Sequence, residues 1–466
     1  MDNGSRLHIV MLPWLALGHL LPFLELSKRL AQKGHKISFL STPRNIQRLP
    51  KIPPNISPLI SFVQFPLPRI ENLPEDAELT IDLPSDDLRP YLKKAFDTLQ
   101  HDVLSFLQET SNPPADWIVY DYAAYWVPRI SAETGVPCTY LSLFNAAVLG
   151  FLGSPQVLLG NEHQRTTVEE YTVAPKWVSF PSTIAFRPHE VRHILEPARQ
   201  QDASGVNEMY RFATTIEGCD FLTIRSCMEF EQEWLQLIGE LFNKSIVPIG
   251  MLPPIIQDDS DEGEWESTFK WLDEQEIGSV VYAAFGSEAK ITRAQVDEIA
   301  LGLELSNLPF LWVLRAEKVP DGFEERTKGR GLVCMGWVPQ IQLLAHPSVG
   351  GFLTHGGWNS IIEGLSFGLA MVVLPLMFEQ GLNARNLVER KIAVEVAKNE
   401  DGSFTGEEIA ESLRLVMAEE KGEAFRAKAR QSRDIFGNLD MQDKCLDDFV
   451  QYLWDHKQRK VLSNTV

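Results

Sequence analysis

Cysteine is scarce in this chain: five residues (Cys138, Cys219, Cys227, Cys334 and Cys445) among 466. Their number is odd and their spacing wide, so no disulfide framework and no cysteine zinc site is expected, and a reducing compartment fits best. Basic residues are also short. Forty-three Lys and Arg stand against 63 Asp and Glu, a formal charge of −20. Nucleic acid and anionic membrane surfaces recruit clustered cations, so neither is expected as a partner. A run of about 18 apolar residues is missing, which excludes an expected spanning helix. Residues 1–7 are polar, with no charged segment ahead of an apolar stretch and a cleavage site. The expected compartment is the cytosol.

What is present is ordinary for a globular chain: 44% hydrophobic and 23% charged residues, too apolar for whole-chain disorder. The length suggests two or three domains. Strand and helix signals alternate. Residues 8–12, 36–40 and 117–120 read as short apolar strands, and 22–33 as a helix ending at Gly34. Residues 249–266 read as a linker, with Pro253-Pro254 followed by Asp258-Asp259-Ser260-Asp261-Glu262-Gly263-Glu264. Alternation then resumes: strands at 279–285, 309–314, 350–354 and 371–375, helices at 292–305 and 359–367, and a C-terminal amphipathic helix from about 442 to 454. The fold class is therefore α/β, in two domains, 1–248 and 267–440, with the tail at 441–466 returning to the first domain. Ligands of open parallel sheets bind beyond the carboxyl ends of the strands. Two such domains facing each other would make a cleft for two substrates.

Three short patterns match known chemistry and read as coincidences. His189-Glu190-Val191-Arg192-His193 matches the H-E-x-x-H zinc signature, with Glu190 as base and something like Glu208 as third ligand. It would make the protein a zinc peptidase. Pro188 marks a helix start there instead. Gly364-Leu365-Ser366-Phe367-Gly368 matches a nucleophile elbow, but that serine must follow a strand and 360–365 reads as helix. Asp259-Ser260-Asp261 is an acidic pair inside the linker and reads as solvated charge.

A fourth pattern is long. It comprises Trp337-Val338-Pro339-Gln340, His346, Gly351-Phe352, Thr354-His355-Gly356-Gly357-Trp358-Asn359-Ser360, Glu363, Gly368, Pro375 and Glu379-Gln380. This resembles the signature box of the plant UDP-dependent glycosyltransferases, glycosyltransferase family 1. Gly18-His19, Asp121 and Phe285-Gly286-Ser287 extend the likeness over nearly the whole chain. Residues 39–49, 116–122 and 381–385 look like the family-91 branch, which extends sugars on glycosides.

The resemblance implies a GT-B fold of two facing Rossmann-like domains and an inverting, metal-independent UDP-sugar-dependent O-glycosyltransferase. It would move a hexose from UDP-glucose or UDP-rhamnose to a small plant flavonoid or terpenoid glycoside, with no cofactor. The residues suit that chemistry. Gly356-Gly357 before a helix start allows close backbone approach to phosphates, and His355, Ser360 and Ser287 can donate to them. The family pattern gives Trp337 to the uracil, Gln340 and Glu363 to the ribose, and Trp358, Glu379 and Gln380 to the donor sugar, with Val338 and Asn359 also at the UDP-sugar site. Here Glu379 replaces the usual Asp and Gly356 the usual Cys. By the same resemblance His19 is the general base and Asp121 orients it. Residues 145–210 should line the acceptor pocket, with Phe144, Phe151, His189 and Phe212 as candidates, although the same aromatics could fill core. A non-catalytic nucleotide-sugar binder is the remaining alternative, and an intact His19/Asp121 pair argues against it. A monomer is the favoured assembly.

Overall fold

The computed structural model describes residues 6–256, 263, 265–315 and 318–463. Apart from Gly263, the acidic run expected to form the linker lies outside them. The chain divides into two compact units, the first made of Met1–Arg165, Glu196–Leu252 and Asp440–Val466, the second of Thr166–Leu195 and Pro253–Leu439.

Unit 1 is built on β1 (His8–Leu12), β2 (Lys36–Ser41), β3 (Ile60–Gln64), β4 (Trp117–Tyr120), β5 (Cys138–Ser142), β6 (Phe221–Ile224) and β7 (Ile246–Pro248). They form one sheet in the order β3-β2-β1-β4-β5-β6-β7, parallel at every pairing. β1, β4, β5 and β6 are buried at every position, as expected of strands covered by helices on both faces. Helix α1 (Leu17–Gln32) begins five residues before the expected start. The Leu20 N–H bonds the Ala16 carbonyl at 2.9 Å, so the helix nucleates ahead of Pro22, which donates no N–H of its own. His19 consequently rides on the first turn of a helix.

Two stretches depart from the expected boundaries. Ile249, Met251 and Leu252, read as linker, are buried. Arg225 donates to the carbonyls of Met251 and Leu252, and Gln442 Oε1 accepts the Met251 N–H at 2.5 Å. Gln442 opens the C-terminal helix (Leu439–Ser463), whose Leu446, Phe449 and Leu453 join the core of unit 1. The second departure is Thr166–Leu195, read as part of the first domain but packed into unit 2.

Unit 2 holds β8 (Val280–Ala284), β9 (Phe310–Leu314), β10 (Gly331–Met335), β11 (Val349–Thr354), β12 (Ala370–Val373) and β13 (Ala393–Glu395), ordered β10-β9-β8-β11-β12-β13 and all parallel. Its helices include α2 (Arg293–Ser306), α3 (Trp358–Ser366), α4 (Gln380–Glu389) and α5 (Gly406–Met417). Thr292 caps α2 by accepting the Gln295 N–H at 3.3 Å, and the Gln295 side chain returns the bond at 2.9 Å. Among the described residues no helix is long and apolar enough to cross a membrane.

Candidate active site

In unit 1 the strand order reverses between β1 and β4, the kind of switch point at which open α/β sheets bind ligands. The chain leaving β1 leads to His19; the chain leaving β4 leads at once to Asp121. The two meet although 102 residues apart: His19 Nδ1 lies 2.7 Å from Asp121 Oδ2. The Asp121 carboxylate is 1% exposed. It also accepts the Trp14 N–H at 3.1 Å and the Tyr122 N–H at 2.7 Å. A carboxylate held by two backbone donors cannot swing away, and as an acceptor it orients the imidazole with Nδ1–H toward it.

Aromatic rings wall this site. Tyr122 and Phe144 lie 5.8 and 6.4 Å from the His19 ring, Phe212 stacks on Tyr122 at 4.8 Å, and Phe144 meets Phe212 at 5.4 Å. The segment after Phe144 is fixed by a group the sequence reading missed. The buried Glu231 carboxylate accepts the Ala146 and Ala147 N–H groups at 3.0 and 3.1 Å. Phe151, an expected acceptor-pocket residue, is instead core: it is fully buried, with the Arg165 guanidinium 4.7 Å over its ring.

In unit 2 the box residues gather beyond the carboxyl ends of β8, β10, β11 and β12. Ser287 lies in the turn after β8, and Trp337 and Val338 follow β10. Trp337 is 61% exposed, and the Arg315 guanidinium stacks over it at 4.2 Å. Arg315 was missed, although its place directly after β9 could have flagged it. Gln340 accepts from the Tyr282 hydroxyl at 3.1 Å and donates to Glu363 Oε2 at 2.6 Å. That contact fixes the Glu363 carboxylate near the surface.

His355 lies at the end of β11. Burial first, then the Arg315 cation, pushes its imidazole down to about 4, so the ring is neutral at pH 7 and holds one N–H and one lone pair. Its ring fills the space where Cβ atoms of Gly286 and Gly357 would stand, at 2.7 and 2.6 Å. Gly356 has φ +86°, and a Cβ there would meet Val373 at 2.6 Å. Both facts explain glycine where the family commonly carries Cys. Asn359 and Ser360 lie in the first turn of α3, whose positive end suits a diphosphate. Gln380 spends its carbonyl on the Leu376 and Met377 N–H groups at 2.9 and 3.0 Å, and Glu379 precedes it at the α4 N-cap.

Several expectations are corrected. Trp358 is 4% exposed and packs edge-on against Phe436 at 6.2 Å, so its indole is core. Ser366 lies within α3 and donates to the Ile362 carbonyl at 2.7 Å, which ends the elbow reading. His189 and Glu190 form a short helix with Pro188 that continues as a π turn, Val191–Leu195. Glu190 is ion-paired with Arg385 at 2.9 Å, and Glu208 closes on Lys93. Both carboxylates are thus paired with cations, and among the described residues no group of three or more His, Cys, Asp or Glu is placed to hold a metal ion. His189, expected in the acceptor pocket, belongs to unit 2, where it lines a cavity of about 610 Å³ with Phe378, Lys398, Asp401 and Phe404.

Residues 270–429 match the family described as "UDP-glucoronosyl and UDP-glucosyl transferase". UDP-glycosyltransferase 91C1 of Arabidopsis thaliana is 50% identical over 96% of this chain and 96% of its own. This chain belongs to the plant family-1 UDP-glycosyltransferases. The glycosyltransferase is also 39% identical to the soyasaponin III rhamnosyltransferase of Glycine max, over 98% of this chain and 97% of that one. Among solved structures, Phytolacca americana UGT2 complexed with UDP-2fluoro-glucose and pterostilbene matches with a TM-score of 0.77 and 26% identity. The match covers 97% of this chain and all of that one. The fold is thus GT-B, and each unit is one of its Rossmann-like parallel-sheet domains.

Proposed function

We propose that the enzyme transfers a hexose from UDP-glucose or UDP-rhamnose to a hydroxyl of a small plant glycoside, flavonoid or terpenoid, in the cytosol. The observation that carries the catalytic part is the 2.7 Å contact between His19 and a buried, doubly anchored Asp121. His19 Nε2 takes the acceptor hydroxyl proton as the oxygen attacks the anomeric carbon. The bond from that carbon to the UDP oxygen breaks, and a single displacement inverts the centre. Asp121 stabilises the imidazolium that forms. The N-terminus of α3, neutral His355 and Ser287 receive the charge that develops on UDP, so no metal is required. The aromatic wall of Tyr122, Phe144 and Phe212 suits a flat or polycyclic apolar acceptor. The likeness to the family-91 branch, read in residues 39–49, 116–122 and 381–385, supports a glycoside.

The experiment is a mass-resolved product assay with chelator present. Each UDP-sugar is offered separately with aglycones and with their monoglucosides. Added hexose or deoxyhexose mass on glycosides alone is expected, and product from aglycones alone would overturn the glycoside acceptor. His19→Ala should abolish turnover and keep UDP binding; normal turnover would remove His19 as base.

A further inference from the structure

Between β12 and α4 the chain runs through Pro375-Leu376-Met377-Phe378-Glu379. Phe378 has φ +51°, a left-handed conformation that a bulky side chain rarely adopts. Such strain persists only where the surroundings over-determine it. They do so here. Lys398 donates to the Pro375 carbonyl, and Gln380 holds the next two N–H groups.

Helix α4 is pinned one turn further on. An Arg385 guanidinium nitrogen lies 3.0 and 2.9 Å from the two Glu190 oxygens and 3.4 Å from Glu395. Arg187 reaches the same Glu395 oxygen at 3.1 Å, and Glu190 also accepts the Arg187 N–H at 2.8 Å. A Cβ on Gly381 would stand 2.0 Å from Arg385 and 2.3 Å from Glu190, so glycine is what lets the pair close over the first turn of α4. Arg385 and Glu190 are 9% and 6% exposed. Buried ion networks are poor sources of stability, and apolar replacements are often as stable. What such a network does supply is a fixed direction.

We propose that Glu190 and Arg385 are a positioning pair for donor binding: they hold α4 so that Glu379 and Gln380 meet the hydroxyls of the UDP-linked hexose. The proposal rests on the reading of those two residues as donor-sugar contacts. It also gives the His189-Glu190 motif a role, as the point where a stretch of chain from the first half is locked into unit 2.

The test uses the full-length enzyme and whichever UDP-sugar the wild type turns over. Measured are the UDP-sugar KM, kcat and the inhibition constant of UDP, for Glu190→Gln, Arg385→Met, Arg385→Lys and Gly381→Ala. Gly381→Ala wedges the pair apart with every charge kept, so it stands if the charge variants fail to fold. Gln380→Ala calibrates the donor reading. The expected result is a UDP-sugar KM raised about tenfold or more in Glu190→Gln, Arg385→Met and Gly381→Ala, with UDP inhibition within about twofold, and partial recovery in Arg385→Lys. Equal weakening of UDP and UDP-sugar would mark a merely structural role and overturn the proposal. A Gln380→Ala effect without one from the pair would overturn it and leave the donor reading standing. No effect of Gln380→Ala would bring down both.

Discussion

Replacing Asp121 by Asn changes donors and acceptors while leaving volume nearly constant. The carboxylate takes three bonds: His19 Nδ1 at 2.7 Å and Trp14 N–H at 3.1 Å on Oδ2, and Tyr122 N–H at 2.7 Å on Oδ1. An amide offers one acceptor oxygen and an NH₂. With the NH₂ in the Oδ1 place, it meets the Tyr122 N–H donor to donor. With the NH₂ in the Oδ2 place, it meets the Trp14 N–H, and His19 must turn its Nδ1 lone pair inward. Nε2 then carries the proton and can no longer act as a base. Either way one buried donor is left unsatisfied, a stability loss of roughly 1–3 kcal/mol. Catalysis loses more. Without a carboxylate to hold the tautomer and balance the imidazolium, kcat should fall about 10³–10⁴-fold, or roughly 4–5.5 kcal/mol of barrier. The assay is kcat for the proposed transfer beside UDP affinity and thermal unfolding, in wild type and Asp121→Asn. A folded variant that binds UDP yet keeps kcat within about tenfold of wild type would refute the pair as the catalytic machinery.

Three further outcomes are expected. His355 has a folded pKa of about 4 against an ordinary 6.5, so between those values the unfolded chain binds more protons and stability falls as pH drops. Unfolding at pH 5 should be easier than at pH 7.5 by roughly 2 kcal/mol on this account, and denaturant titrations of wild type and His355→Gln should show the difference shrinking in the variant. Gly356→Cys drives a Cβ against Val373 and should cost roughly 1–3 kcal/mol, recovered in part by adding Val373→Ala; strictly additive effects in the double variant would show that the two sites do not touch. Gln442→Ala strips a buried Met251 N–H of its acceptor and should lower unfolding free energy by roughly 1–3 kcal/mol, which an unchanged denaturation midpoint would contradict.

Local signals carried much of this fold. Continuous apolar runs such as Trp117–Tyr120 and Phe310–Leu314 became buried parallel strands, and the helix read at 292–305 became Arg293–Ser306 with Thr292 as its cap. Long-range pairings were beyond such signals. Nothing near Phe151 distinguishes it from Phe144, yet one lies under Arg165 and the other beside His19. Trp358 sits in the box, but its indole is claimed by Phe436 on another helix. Glu190 looked like a metal motif because its partner, Arg385, is 195 residues away. The box itself was legible because its residues stand at fixed spacing within one stretch, 337–380, so no distant partner had to be known.

The chain passes between the two units four times, after Arg165, Leu195, Leu252 and Leu439. Recombining this enzyme with a relative is therefore not a matter of one cut. A hybrid joined only at residue 252 would set a native Glu190 and Arg187 against a foreign Arg385 and Glu395. It would also seat a foreign C-terminal helix, with its own residue in place of Gln442, on the native Gly250-Met251 backbone. Chimeras that travel with residues 166–195 and with the C-terminal helix keep both interlocks native, and those are the ones expected to inherit a donor preference intact.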